Sequence, residues 1–288
     1  MAQRIAYQGE PGAYSHQACE QTFPEYAALS CPTFEDAVEA VNSGRARLAM
    51  LPVENSVYGR VADIHRLIPE SGLFIIDEVF LRIRINLLVV PGTEVSQVTT
   101  ASSHAVLLGQ CRKFFRQHGI RPAACADTAG AARSVAEQRN PSIAALASDL
   151  AGRIHGLEVA LPDIEDEVHN RTRFLVMSRR LMNQRRSEHM MTSFVFAVRN
   201  IPAALFKALG GFATNNVNMV KLESYMVGGS FSATQFFAEI EGHPDDGGVR
   251  LAMEELQFFT DYLKIIGIYP AASERYGEAA PGNDTVDR

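Results

Sequence analysis

Three short segments of this chain gather residue types that can hold an anion or move a proton. The densest is His169-Asn170-Arg171-Thr172-Arg173-Phe174, which brings an amide, a hydroxyl and two guanidinium groups to the mouth of the apolar run Leu175-Val176-Met177. Strand alternation puts Asn170, Thr172 and Phe174 on one face and Arg171 and Arg173 on the other, so one face would set an acid against an apolar wall. The competing reading is an exposed strand whose arginines pair with Asp163, Glu165 or Asp166. The second segment, Leu51-Pro52-Val53-Glu54-Asn55-Ser56 followed by Gly59, lies at the carboxyl end of a strand, where open α/β sheets bind ligands. There Asn55 either hydrogen-bonds a substrate hydroxyl or carboxylate or, like Ser56, caps the next helix. The third, Gly9-Glu10-Pro11-Gly12-Ala13-Tyr14-Ser15, turns from a strand into a helix and exposes backbone amides at its positive end. It lacks the third glycine of a dinucleotide fingerprint, and a plain tight turn with Ser15 as N-cap is the alternative.

Two helix starts carry hydroxyls beside these segments. Ser102-Ser103-His104 precedes Gln110 and Cys111 by two turns, and Ser103 is expected to cap that helix while still facing a ligand. Thr128-Ala129-Gly130 repeats the arrangement, with small residues that admit a ligand close to the backbone. Together the segments fit a small carboxylated substrate and proton transfer without a metal.

The elements that must position these groups alternate. Arg4–Gln8 reads as a strand, Ser15 to Thr22 as a helix, and Thr33 as an N-cap with Asp36 in a box position and Gly44 as the stop. Leu48–Val53 is a buried strand, and Ile75 to Val90 is an apolar run broken by Arg82, Arg84 and Asn86. Ser103–Gln117 is expected as one helix closed by Gly119, Thr128 as the cap of Ala129–Gln138, Ile143–Ala147 as a strand, Asp149–His155 as a helix ending at Gly156, and Phe174–Met177 as a last strand. Such alternation predicts a parallel α/β architecture in two lobes with a cleft between them. The basic stretch Arg179–Met190 reads as a linker. After it, Thr192–Val198, Pro202–Thr214, Val217–Met226, a Gly228-Gly229 hairpin turn, Phe231–Ile240, Asp246–Thr260 and Tyr262–Ile268 make a βαββαβ, ferredoxin-like unit. The expected organisation is therefore a two-lobed domain at residues 1–180, a linker at 181–191, the βαββαβ domain at 192–270 and a disordered tail at 271–288.

A net charge of −6 over 288 residues argues against nucleic acid or an anionic membrane as partner. The composition, 47% hydrophobic and 21% charged, is that of a globular protein, and no apolar run reaches the ~20 residues of a membrane span. Cys19, Cys31, Cys111 and Cys125 are too scattered for a zinc site or a disulfide framework, so reduced thiols in a cytoplasmic protein are expected. The N-terminus turns soon after Ile5-Ala6-Tyr7, so no signal peptide is expected.

Three motifs in this order resemble the signatures of prephenate dehydratase: Gly9-x-x-Gly12-Ala13-Tyr14-Ser15, Leu51-Pro52-Val53-Glu54-Asn55-Ser56-x-x-Gly59, and Asn170-x-Thr172-Arg173-Phe174. Ser103-His104, Gln110-Cys111 and Asp127-Thr128-Ala129 extend the match, and the βαββαβ unit is similar to the ACT domain that follows in that family. The resemblance implies a bilobal catalytic domain like periplasmic solute-binding proteins, and loss of carbon dioxide and water from prephenate to give phenylpyruvate, with no cofactor. It implies Thr172 as the catalytic hydroxyl, with Asn55, Ser103 and Gln110 as further catalytic residues. Gly12, Ala13, Tyr14, Ser15, Glu54, Ser56, Thr128, Ala129, Asn170, Arg173 and Phe174 would bind substrate. The family's Ser-His-Pro-Gln is here Ser103-His104-Ala105-Val106. Its Gly-Ala-Leu-Val is Ala203-Ala204-Leu205-Phe206 and its Glu-Ser-Arg-Pro is Glu223-Ser224-Tyr225-Met226. With Asn216-Val217-Asn218, these two segments would form a phenylalanine site at a subunit interface, although Phe206 and Met219 read equally as ferredoxin-like core. A homodimer or homotetramer is implied. Arogenate dehydratase, and a ligand-sensing module without chemistry, are the alternative readings.

Overall fold

The computed structural model describes residues 3–181, 187–226 and 233–276, apart from a few side chains at the margins. In chain order the first elements are β1 (Arg4–Gln8), α1 (Tyr14–Thr22), β2 (Ala27–Cys31), α2 (Phe34–Asn42), β3 (Leu48–Asn55), β4 (Gly59–Arg60), α3 (Ala62–Glu70) and β5 (Phe74–Arg82). There follow β6 (Asn86–Val89), β7 (Thr100–His104), α4 (Ala105–Gly109), α5 (Arg112–His118), β8 (Arg121–Cys125), α6 (Thr128–Gln138), β9 (Ile143–Ala147), α7 (Asp149–His155), β10 (Glu158–Leu161) and β11 (Arg171–Ser178). The last are β12 (Met190–Ala197), α8 (Ala204–Thr214), β13 (Met219–Met226), β14 (Ala233–Glu241), α9 (Gly247–Phe259) and β15 (Tyr262–Pro270). The contacts divide the chain into two units, 1–64 with 79–174 and 65–78 with 175–288. The division falls inside β11, a few residues before the border expected near residue 180, and a segment around β5 joins the C-terminal unit.

The first unit holds two sheets. In one, β1 lies between β2 and β3, parallel to both, with Ile5 opposite Ala28 and Leu48, and β11 follows β3. The other is five-stranded, β10-β6-β9-β7-β8, parallel at β8-β7-β9 and antiparallel at β9-β6-β10. Helices α6 and α7 cover it through Ala131, Ala132, Val135 and Ala151 against Leu88, Ala145 and Ala147. Alanines at these contacts let the helix backbones lie close to the sheet, so the interior is filled with little side-chain bulk.

Local chemistry explains several boundaries. Thr33 and Asp36 form the reciprocal capping box, and Gly119 and Gly156 close α5 and α7 in the left-handed conformation. Other expectations are corrected. Ser103 is a strand residue, not a helix cap; His104 caps α4 by accepting the Val106 amide at 3.3 Å. The single helix expected over Ser103–Gln117 is broken at Gln110 and Cys111. Asp166, far along the chain, takes the Gln110 carbonyl through its own amide at 2.6 Å and caps α5 by accepting the Arg112 and Lys113 amides at 3.0 Å each. Asp127, not Thr128, caps α6, accepting the Gly130 amide at 2.6 Å.

The second unit carries its elements in the order βαββαβ, in an antiparallel sheet β13-β14-β12-β15 with β5 added in parallel at Gly267 and Ile75. Phe194, Phe196, Phe212, Ala238, Ile240, Val249 and Leu256 fill its core, with Met219 packed against them. Phe206 is 80% exposed and is no part of that core. The expected tail is ordered at its start. Glu78, with a fully buried carboxylate, accepts the Ala272 amide at 3.0 Å and binds the Arg275 guanidinium at 2.5 and 2.8 Å, and Ser273–Tyr276 form a 3-10 turn. Residues 277–288, the Gly228-Gly229 turn and residues 182–186 of the expected linker lie outside the described residues. Among the described residues, no helix is long and apolar enough to cross a membrane.

Candidate functional site

Four polar side chains from three parts of the first unit meet in one hydrogen-bonded chain. Asn55 ends β3. Its carboxamide oxygen accepts the Val57 and Tyr58 amides at 2.9 and 3.0 Å, an Asx turn that orients the group. Its NH2 must therefore point the other way, where it donates to Asn170 Oδ1 at 2.8 Å and Thr172 Oγ1 at 3.0 Å. Asn170 in turn donates through Nδ2 to Gln110 Oε1 at 3.0 Å. Amide orientation is ordinarily an assignment, but here backbone N–H groups fix the first member and each fixes the next. The chain thus ends in two donors. Thr172 accepts from Asn55 and keeps its own hydroxyl proton uncommitted, and Gln110 Nε2 makes no hydrogen bond among the described residues.

Both faces of β11 are accounted for. Asn170 is 1% exposed, so it orients Gln110 and does not itself reach a ligand. Phe174 is fully buried beyond Thr172. Arg173, 2% exposed, pairs with Glu54 at 2.9 Å, not with Asp163, Glu165 or Asp166. Those carboxylates pair with Arg84, pair with Arg82 and cap α5, respectively. Arg173, expected to bind substrate, thus has its charge balanced by Glu54, which was expected to do the same. Ser56 donates to the His169 carbonyl at 3.0 Å and accepts the Arg171 amide at 2.9 Å, stitching the segment after β3 to β11.

The glycine turn is partly self-satisfied. The Gly12 amide goes to His16 Nδ1 at 3.1 Å and the Ala13 amide to the Glu10 carbonyl at 3.0 Å. The first turn of α1 has no side-chain cap, which leaves the Tyr14 and Ser15 amides as its anion donors. The Tyr14 hydroxyl donates to the Arg84 carbonyl at 2.9 Å, and burial raises its pKa well above the usual phenol value. Burial lowers the pKa of His16, so its ring is neutral and free to accept at Nδ1. Two contacts that the sequence did not suggest tie this turn to the five-stranded half: Arg133 pairs with Glu10 at 2.8 Å, and Ser148 donates to the Gly12 carbonyl at 2.6 Å.

Two expected residues stand apart. Ser103 is fully buried and donates to the Leu146 carbonyl at 2.6 Å, binding β7 to β9 and making no hydrogen bond to the four-residue chain. Ala129 is fully buried in the first turn of α6. Among the described residues no three His, Cys, Asp or Glu side chains gather as metal ligands.

A two-donor terminus in a mixed α/β two-sheet unit can now be set beside known proteins. Residues 5–181 match the family model described as prephenate dehydratase. The chain belongs to that family. It is 47% identical over 94% of its length, and 97% of the other's, to a bifunctional N-acyl-homoserine lactone acylase/prephenate dehydratase of Komagataeibacter europaeus. It is 35% identical to the chloroplastic arogenate dehydratase/prephenate dehydratase 1 of Arabidopsis thaliana, over 93% of this chain and 72% of that one. Among solved structures, a prephenate dehydratase from Arthrobacter aurescens in complex with L-Phe superposes with a TM-score of 0.85 at 27% identity, covering 95% of this chain and 96% of that one. A structure described as a novel type of quorum-quenching acylase gives 0.90 at 46% identity, covering 95% and 100%. This chain is an enzyme of the prephenate dehydratase type.

Proposed function

We propose that Thr172 and Gln110 supply the proton-donating end of the decarboxylating dehydration of prephenate to phenylpyruvate. The observation that carries this reading is the Asn55 amide donating to Thr172, which leaves the threonine proton free for substrate. In the reaction the ring carboxylate leaves as carbon dioxide, and its bonding electron pair moves through the ring diene as the C–OH bond breaks. One proton is taken up, the hydroxyl departs as water, and an aromatic ring forms. Hydroxide is a poor leaving group, so a donor at the departing oxygen lowers the barrier. General-acid assistance of this kind is worth about 10²–10⁴-fold. Threonine is a weak acid, so the proton passes through its hydroxyl from solvent and Thr172 ends unchanged. The open amides of Tyr14 and Ser15 at the start of α1 suit a substrate carboxylate.

The test is phenylpyruvate formation from prephenate at neutral pH with EDTA present, with and without phenylalanine. Turnover that persists in EDTA is expected, and loss of all turnover on prephenate and arogenate alike would overturn the assignment. Arogenate carries an amine where prephenate carries a ketone, and the comparison of the two rates decides the natural substrate.

The two sheets of the first unit are read as the lobes of a periplasmic-binding-protein-like domain, and the βαββαβ unit as an ACT domain, in a cytoplasmic protein. Its regulatory site would use Ala203, Ala204, Leu205, Phe206, Asn216, Val217, Asn218, Glu223 and Ser224. Ala203 and Asn216 flank the eleven-residue α8, which is itself about 16 Å long. That span favours a phenylalanine site shared between two copies in a homodimer or homotetramer. Saturating phenylalanine is expected to lower turnover; unchanged turnover would remove this regulatory reading. A second reading is favoured by the 47% identity to the bifunctional relative: hydrolysis of N-acyl-homoserine lactones, tested by release of homoserine lactone.

A further inference from the structure

Tyr58 stands at one of the two positions that the second motif leaves open between Ser56 and Gly59, and its placement is unusual. Its backbone amide is one of the two that hold the Asn55 carboxamide, at 3.0 Å. Its side chain reaches from the segment after β3 to the end of α4, where the hydroxyl lies against Gly109, immediately before Gln110 in the chain. A methyl group at Gly109 would meet this phenol and no other heavy atom within 4 Å, with the ring Cζ at an ordinary 3.7 Å. The phenol is 46% exposed for the whole residue and makes no hydrogen bond among the described residues. A long side chain thus spans from one sheet to the other and ends in a donor that no described group uses. The residue it touches, Gly109, directly precedes Gln110 in the chain.

We propose that Tyr58 is a substrate-positioning residue whose hydroxyl, seated on Gly109, donates to a carboxylate of the substrate. This rests on the proposed dehydration of prephenate. A neutral donor holds a carboxylate oxygen and adds no charge, which suits a site whose Arg173 is already neutralised by Glu54. Gly109 is then required because any Cβ there displaces the hydroxyl. The contact is made equally before and during the reaction, so its loss should raise KM and leave kcat nearly unchanged.

The experiment is a double-mutant cycle on prephenate turnover with Tyr58→Phe, Gly109→Ala and the pair. Tyr58→Phe is expected to raise KM about 10–150-fold with kcat within about twofold, the scale of one hydrogen bond to a charged group. Gly109→Ala should raise KM similarly by pushing the hydroxyl aside. In the Tyr58→Phe background Gly109→Ala should add less than about twofold, because the clashing oxygen is gone. A Tyr58→Phe enzyme with the parent KM, or a Gly109→Ala effect equally large with and without the hydroxyl, would overturn the proposal while the parent's turnover leaves the reaction standing. A parent without turnover on prephenate would refute the reaction and this assignment with it.

Discussion

The direction of the hydrogen-bonded chain makes an isosteric substitution at Asn55 unusually informative. In Asn55→Asp the oxygen that accepts the Val57 and Tyr58 amides is retained, so the Asx turn survives. The NH2 that donated at 2.8 and 3.0 Å becomes a carboxylate oxygen facing two acceptors. Asn170 must then turn its own NH2 toward the new carboxylate, and its carbonyl oxygen toward Gln110. Gln110 must turn its NH2 inward and its oxygen to the cleft, and Thr172 must give its proton to the carboxylate. One exchange of NH for O reverses the polarity of all four residues and removes both outward donors, with almost no change in volume. Two lost hydrogen bonds to developing charge, at about 1.5–3 kcal/mol each, amount to roughly 3–6 kcal/mol, a fall in kcat of about 10²–10⁴-fold. The fold should persist, because every buried group finds a partner again and the carboxylate gains four donors. Asn55→Ala differs. It leaves the buried Asn170 carbonyl without its donor and should cost about 1–3 kcal/mol of stability as well as activity. The assay is kcat for phenylpyruvate formation, together with thermal melting of both variants. An Asn55→Asp enzyme that melts like the parent and retains kcat within about threefold would refute the polarity argument, since less than 1 kcal/mol would then separate the two directions.

Three further outcomes follow from groups outside the chain of four. Gly12→Ala should destabilise the protein by about 2–4 kcal/mol, because the residue has φ +96° and its Cβ would lie 2.7 Å from the Ala151 Cα; a melting temperature within a degree of the parent would contradict this. Burial raises the Asp77 carboxyl from 3.8 to about 6, so the folded state holds a proton between these values that the unfolded state has lost. The resulting penalty grows as pH rises through that window and is complete above it, so Asp77→Asn should stabilise by up to about 3 kcal/mol at pH 7 and little near pH 4, read as a pH-dependent gain in melting temperature. His16, with its pKa lowered by burial, has the opposite sign: below about 6.5 the unfolded state binds the proton more readily, and stability falls. His16→Asn, which can still accept the Gly12 amide, should lose less melting temperature than the parent between pH 7 and pH 5, and parallel curves would refute the assignment.

What could be read from the sequence follows from which interactions are local. The capping box at Thr33 and Asp36, the glycine stops at Gly119 and Gly156, and the inner strands β1, β3 and β9 rest on residues a few positions apart or on continuous apolar runs, and they stand where expected. Of the strands left unassigned, β2, β8 and β10 are sheet edges, where one side is solvent and no apolar period develops, whereas the inner strand β7 ends in the polar Ser102-Ser103-His104 and was expected to turn helical at Ser103. Motif spacing placed Asn55, Gln110, Asn170 and Thr172 in one candidate site, but not their roles, because these depend on partners about 60 and 115 residues away. Asp166 is the clearest case. By capping α5 and holding the Gln110 carbonyl, it breaks a helix that would otherwise have run on past Gln110. The break frees Gln110 from helical register and lets its side chain meet Asn170. The donor at one end of the chain is therefore set by a carboxylate that makes no hydrogen bond to the four residues' side chains. The donor at the other end is set by two backbone amides. Polarity, the property on which the proposed chemistry depends, is fixed from outside the motifs that mark the site.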